Sequence, residues 1–360
     1  MLWIQGLWFV GGLVALVIGA DALVRGASKL ALTFGLSPLV VGLTIVAFGT
    51  SAPEMAVTAS AVLGGQTDIA VGNVVGSNIF NVLFILGASA LIVPLVVHQQ
   101  LIRQEVPIML GASLLLLALG LDGDIAVWEG ASLLLLMLVY TAFLVIQSRR
   151  QQASEPSEYD AEIRPAAAGA WDASIGVQVG LIVAGLALLV LGSEWLVGSA
   201  VAIAKAFGVS DLVIGLTIVA AGTSMPEVAT SITAALKGER DIAVGNVVGS
   251  NTFNILGVVG LGGLLAGSDG LTLVPSVLHF DIWVMLAVAF ACLPVFVTGR
   301  EIARWEGAVF LFYYVAYVAY LILAAQQHEA IEAFSAAMLG FVVPLTIVTL
   351  VVVWLREPRS

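Results

Sequence analysis

The stretch DIAVGNVVGSN occupies Asp68–Asn78, and the same eleven residues return at Asp241–Asn251. The match extends outward at a constant offset of 173 residues. GLTIVA at Gly42–Ala47 recurs at Gly215–Ala220, and GTSAPE at Gly49–Glu54 recurs as GTSMPE at Gly222–Glu227. Downstream, GSNIFN at Gly76–Asn81 recurs as GSNTFN at Gly249–Asn254. Weaker echoes lie further out: GADALV from Gly19 with GSEWLV from Gly192, and WEG at Trp128 with WEG at Trp305. The chain is therefore a duplicated unit.

The unit is built for a bilayer. The 360 residues are 60% hydrophobic and 10% charged, against roughly 25% charged in soluble domains. Mean hydropathy is +1.09. Runs long enough to cross a ~30 Å hydrocarbon core fall at about 5–33, 37–63, 69–97, 104–121 and 125–147. A second set falls at about 173–206, 210–236, 242–266, 280–298 and 302–325, and an eleventh at about 331–355. The polar stretch 148–172 reads as a linker between the two sets. The first run lacks a basic leader and reads as a true span. The net charge of −11 argues against a nucleic-acid partner. The single cysteine, Cys292, leaves no internal disulfide and reads as packing.

Five spans per unit is an odd number, so the second unit enters the membrane upside down. The basic residues agree. With the N-terminus outside, twelve of the thirteen Lys and Arg side chains face the cytoplasm and only Lys205 faces out. The expected fold is an all-α polytopic membrane protein. It has two inverted five-helix repeats, ten transmembrane helices, plus an extra C-terminal transmembrane helix. The expected segments are 1–147, a cytoplasmic linker 148–172, the inverted repeat 173–325, and 326–360. Inverted repeats meet near the midplane, where broken helices build one ion or substrate site.

The polar residues at depth mark that site. Glu54 and Glu227 fall near the middle of the second and seventh spans, where a carboxylate costs roughly 2.5–3.5 kcal/mol even on a lenient scale. Pro53 and Pro226 precede them and cannot donate to the carbonyls of Gly49 and Gly222, so each helix should kink and free backbone oxygens. Thr50 and Ser51 lie within a turn of Glu54, and Thr223 and Ser224 within a turn of Glu227. Asn73, Ser77 and Asn81 form an i, i+4, i+8 stripe on the third span, repeated by Asn246, Ser250 and Asn254 on the eighth, with Asn78 and Asn251 beside the stripes. Every donor is oxygen, which suits hard cations such as Ca²⁺ or Na⁺ and not zinc or copper. Asp68 and Asp241 read as helix N-caps, Asp21 and Glu194 as candidates for a gate or an interface, and His98, His279 and His328 as solvated loop-edge residues.

The paired motifs GTSAPE…GNVVGSNIFN and GTSMPE…GNVVGSNTFN resemble the two alpha repeats of the cation/calcium antiporter superfamily, the sodium/calcium exchangers of prokaryotic type. The resemblance spans about residues 1–325. It implies ten helices, with the second, third, seventh and eighth forming the site while the long first and sixth slide past them. It implies Glu54 and Glu227 as the main Ca²⁺ carboxylates. Thr50, Ser51, Ser77 and Asn81 join from one half, and Thr223, Ser224 and Ser250 from the other. The carbonyls of Ala47 and Ala220 serve sodium. At one position, Asn254, well-characterised exchangers of this kind carry Asp. Asn254 stays in the candidate set as an amide, and Glu54 and Glu227 remain the only central acids. The linker is short and has no acidic cluster of the kind found in regulatory calcium-binding domains.

The expected function is a secondary antiporter of the cell membrane, the inner membrane in a bacterium. It exports Ca²⁺ against Na⁺ and needs no cofactor beyond the transported ions and no protein partner. Two carboxylates neutralise one Ca²⁺ or two monovalent charges, so the ions should compete. Protons on the same two glutamates are the alternative counter-ion. A cation channel would use similar ligands, but inverted halves around one site suit alternating access better. An intramembrane enzyme would need a nucleophile–base pair, and no His lies at depth.

Overall fold

A computed structural model describes residues 2–154, 172 and 174–356; most of the expected linker lies outside them. The first half runs α1 (Leu2–Phe34), α2 (Pro38–Thr50), α3 (Ala52–Leu63), α4 (67–92), β1 (Leu95–Val96), α5 (Leu101–Asp122), β2 (Asp124–Ile125) and α6 (Val127–Ser154). The second half runs α7 (Ile175–Ala206), α8 (211–222), α9 (Met225–Leu236), α10 (Arg240–Asp269), β3 (Leu271–Thr272), α11 (Val277–Arg300), β4 (Glu301–Ile302) and α12 (Arg304–Ala325). A thirteenth helix, α13 (Ala330–Val353), follows. Nine helices among the described residues are long and apolar enough to cross a membrane, or ten when α2 and α3 count as one bent span.

Three points differ from the sequence reading. The helix of the fifth span continues to Ser154, past the expected end at 147, because QSRRQQ keeps helix propensity after the apolar run stops. Asp68 and Asp241 lie within the first turn of their helices; the residues preceding the helices are Gln66 and Glu239. His98 is half-buried, and desolvation lowers its pKa; its Nδ1 accepts a hydrogen bond from the Gln100 amide.

Glycine sets the central packing. A Cβ on Gly12 would lie 2.7 Å from the carbonyl oxygen of Gly192, and one on Gly185 would lie 2.7 Å from that of Gly19. One on Gly26 would lie 2.8 Å from the carbonyl oxygen of Gln178. As the number rises along α1 it falls along α7, so the two helices run antiparallel with backbones in contact, the small-residue packing of membrane helices. Gly12 and Gly185 are repeat mates, as are Gly19 and Gly192, so the contacts are reciprocal. A two-fold axis produces this pattern. It recurs at the rim, where β1 pairs with β4 and β2 with β3. It recurs again between helices: Tyr140 donates to Glu105 at 2.6 Å, tying α6 to α5, and Tyr317 donates to Asp281 at 2.7 Å, tying α12 to α11.

One end of α1 is fastened by charge. Lys237 pairs with Asp21 at 2.6 Å, Arg25 with Asp172 at 2.8 Å, and Ser28 donates to Glu239. The hydrogen bond from Arg25 holds the Asp172 carboxyl below its usual range. Desolvation pushes Glu239 the other way, above the usual carboxylate range. A raised native value means that the folded chain holds this proton more tightly than the unfolded chain does. The resulting stability is present below the unfolded value and is lost as pH rises through the native one. Glu239→Gln is therefore expected to narrow the fall in thermal stability between acidic and neutral pH, and melting the variant beside wild type across that range checks it.

Candidate functional site

The helices break where the motif GTSxPE places its serine. Ser51 has φ −81° and ψ 6°, Ser224 has φ −87° and ψ 9°, and each proline then starts the next helix. The axis bends by 42° between α2 and α3. Before each break the chain makes a π-turn with i→i+5 bonding, at Gly42–Val46 and Gly215–Val219; α4 and α10 do the same at Asn81–Leu86 and Asn254–Val259. Such turns gather at functional sites, and no residue signature in the sequence announces them.

The breaks bring the two halves face to face. Ser51 donates to Glu227 at 3.2 Å, and Ser224 donates to Glu54 at 2.9 Å. The hydroxyls of Thr223 and Ser77 approach Glu54, and that of Thr50 approaches Glu227. Both glutamates are fully buried and within electrostatic reach of each other. Thr50 donates to Asn246 at 3.1 Å, and Asn246 donates to Ser231 at 3.0 Å.

Asn78 and Asn251 do more than sit beside the stripes. Each amide nitrogen donates to the other's backbone carbonyl, at 3.1 and 3.2 Å, lacing α4 to α10. Their side-chain oxygens accept in turn from Asn254 and Asn81, at 3.1 and 3.0 Å. This fixes both Asn81 and Asn254 as donors on one side and leaves their own oxygens, Oδ1, without hydrogen-bond partners among the described residues. Five more buried oxygens of the expected set share that condition: Glu54 Oε2, Glu227 Oε2, Ser77 Oγ, Ser250 Oγ and Thr223 Oγ1. A buried polar atom without a partner costs about 1–3 kcal/mol. Seven such oxygens on the helices that meet around the two breaks are the donor type and number that a hard cation takes. No group of three or more His, Cys, Asp or Glu suited to a metal occurs among the described residues.

Two expected donors behave differently. The Ala47 carbonyl accepts from the Ser51 amide at 3.0 Å and from the Thr50 hydroxyl at 3.4 Å, so it stays within helical bonding. The carbonyl that Pro226 frees, on Gly222, is taken by Ser193 of α7 at 2.7 Å. The sequence reading missed Ser193, as it missed Thr58, Thr230 and Ser231, all buried one turn beyond the glutamates. The i+3 and i+4 spacing from Glu54 and Glu227 is the signal that points to the last three.

The two flanks of the site are unequal. On one, Gly42 packs against the backbone of Ile242, and Ile242 and Asn246 are wholly buried. On the other, a Cβ on Gly215 would meet nothing within 4 Å, Ile69 is 47% exposed, and Ala220 is exposed where its mate Ala47 is buried. The site is thus covered by α2 and α10 and open along α8 and α4.

Comparison with known proteins agrees with this architecture. The profile of the family described as sodium/calcium exchanger protein matches residues 4–146 and 177–323. The inner membrane protein YrbG of Escherichia coli is 39% identical over 284 residues, covering 78% of this chain and 86% of that protein. The sodium/calcium exchanger MaX1 of Methanosarcina acetivorans is 33% identical over 339 residues, covering 86% and 96%. The solved sodium-calcium exchanger NCX_Mj, soaked with 10 mM Na⁺ and zero Ca²⁺, superposes with a TM-score of 0.74 at 31% identity, covering 89% of this chain and 99% of that one.

Proposed function

The chain belongs to the sodium/calcium exchanger protein family, a family of multi-pass cation antiporters, and from that premise we propose that it exports one Ca²⁺ against inward Na⁺ by alternating access. The reading rests on the reciprocal Ser51–Glu227 and Ser224–Glu54 pairs, surrounded by seven unsatisfied oxygens where the helices break. Glu54, Glu227, Ser77, Ser250, Thr223, Asn81 and Asn254 hold the ion. Thr50, Ser51 and Ser224 orient the carboxylates, and the carbonyl of Ala220 contributes to sodium binding, joined by that of Ala47 only if its bond from Thr50 is released. Residues 1–147 and 173–325 act as inverted halves joined by a cytoplasmic linker, with the N-terminus outside, and 326–360 add a separate helix. In that orientation the open flank faces outward.

Charge balance enforces exchange. Two carboxylates left uncompensated in a low-dielectric interior cost several kcal/mol each. The helices therefore change access only when one Ca²⁺ or two monovalent ions neutralise the pair. Protons on the same two carboxylates would satisfy the same rule. Asn254 favours this second reading, because the site has no third acid to take another sodium. The deciding experiment is Ca²⁺ uptake into proteoliposomes under an outward Na⁺ gradient and, separately, an outward H⁺ gradient. Uptake driven by Na⁺ alone supports the first reading, uptake driven by H⁺ alone replaces it with the second, and uptake without any counter-ion gradient rejects both.

The stoichiometry makes a further prediction. Two monovalent charges against one Ca²⁺ move no net charge, so wild-type Ca²⁺ accumulation should not respond to membrane potential. Asn254→Asp adds a third carboxylate and removes the donor to Asn78. Its cycle should carry one extra charge, worth about 2.3 kcal/mol per 100 mV, which is about 50-fold in the accumulation ratio. Clamping the potential with valinomycin and K⁺ reads this directly.

A further inference from the structure

We propose that the cleft between the start of α1 and the second half of α7, flanked by Glu194, binds an organic ammonium cation. The cleft has a volume of about 320 Å³ and is lined by Gln5, Trp8, Glu194, Trp195, Gly198 and Ser199. It lies outside the ion site, on the far side of the α1–α7 contact from the fastened end of α1.

Glu194 is a carboxylate at membrane depth. The point midway between Gly185 and Gly192 marks the two-fold relation along α7, and Glu194 stands roughly 8 Å from it along the helix at 1.5 Å per residue. A hydrocarbon core extends about 15 Å to either side of its midplane. Carboxylates at such depth face a partner or a cavity. Glu194 is an exposed residue at the mouth of the cleft and has no hydrogen-bond or ion-pair partner among the described residues.

The repeat itself shows what the cleft lacks. The mate of Glu194 is Asp21, which is paired with Lys237 and stands one turn from Arg25. The residue equivalent to Arg25 is Gly198, and the one equivalent to Lys237 is Gly64. The first copy therefore carries its own cations around its acid. In the second copy the acid is kept, both cations are replaced by glycine, and the space left at Gly198 becomes part of the cleft. A ligand bearing one positive charge completes the second copy as Arg25 and Lys237 complete the first.

The lining selects the kind of cation. Trp8 and Trp195 meet edge to face at 5.0 Å and present aromatic surface to the cleft. Indole rings attract ammonium groups, and aromatic cages with a carboxylate are the usual receptor for quaternary ammonium. A bare metal ion finds few side-chain oxygens here, those of Glu194, Gln5 and Ser199. The cleft is shallow and open, so it suits a compact ammonium headgroup rather than a ligand that must be enclosed. An ammonium headgroup of a lipid and a free soluble amine carry the same chemistry.

The test is equilibrium binding of radiolabelled choline to the purified full chain in phosphatidylglycerol vesicles, without any ion gradient. Its result is therefore independent of whether the chain exchanges Ca²⁺. Saturable binding of one choline per chain is expected. Glu194→Gln should weaken it by at least about tenfold. Gly198→Arg should do the same by restoring the internal cation, and position 198 has open space for a side chain. Thermal melting confirms that both variants are folded. Adding phosphatidylethanolamine to the vesicles separates the sources: a weakened apparent affinity identifies the lipid headgroup as the natural occupant, and an unchanged one identifies a soluble amine. Absence of saturable binding, or equal binding in wild type, Glu194→Gln and Gly198→Arg, overturns the proposal.

Discussion

Glu54→Gln is expected to lower gradient-driven Ca²⁺ uptake by at least about 100-fold while the chain still folds. Glutamine keeps the shape and an acceptor for Ser224, which now bonds Glu54 at 2.9 Å. It removes one of the two charges that balance the ion in the proposed site. Removing one member of a buried, charge-compensated group costs about 3–5 kcal/mol, and 1.4 kcal/mol is tenfold in binding. Reciprocity makes the same demand of Glu227→Gln, whose partner is Ser51. Uptake of radiolabelled Ca²⁺ measures the effect, and thermal melting in detergent shows whether the fold survives. If either variant transports at the wild-type rate, the two-carboxylate site is wrong.

Gly12→Val should be nearly as damaging, for a mechanical reason. Its Cβ would stand 2.7 Å from both the Gly192 carbonyl and the Leu196 amide. These are backbone atoms, which cannot swing aside as a side-chain end can. The two long helices must then part along their length. Overpacking costs about 1–3 kcal/mol where neighbours can adjust, so a value at or above about 3 kcal/mol is expected here. Transport should fall with it, because the resemblance to the exchangers implies that these two long helices slide past the site helices, and a pair forced apart can no longer do so. Gly6→Val and Gly180→Val, in the same two helices with nothing within 4 Å of the new carbon, are the controls. Both should melt and transport like wild type.

Much of this was legible in the sequence because the sequence repeats. Polar letters kept at one offset exposed Glu54, Glu227 and the two asparagine stripes, and the proline beside each glutamate announced the breaks. What stayed hidden depends on contacts between the copies. Nothing in GSNIFN says that Asn78 will bond the backbone of Asn251, or that Ser193 will take the Gly222 carbonyl. The π-turns follow from how the helices cross and have no spelling of their own. The largest gap is the inequality of the flanks. DIAVGNVVGSN is the same text twice, yet Ile69 is 47% exposed and Ile242 is wholly buried. Identical residues cannot encode a difference; it arises from which copy α2 or α8 happens to lie against.

That inequality carries its own instruction for the rest of the cycle. The two halves hold the two postures, one covered and one uncovered, so exchanging them would generate the mirror state that the proposed cycle requires. Giving α8 the posture now held by α2 would seat Gly215 on Ile69 as Gly42 is seated on Ile242, and would bury Val219 and Ala220. Giving α2 the posture of α8 would bare Val46 and Ala47. No new fold is required, only a trade of roles between two copies of one sentence, with the Asp21–Lys237 clasp on the side that must let go.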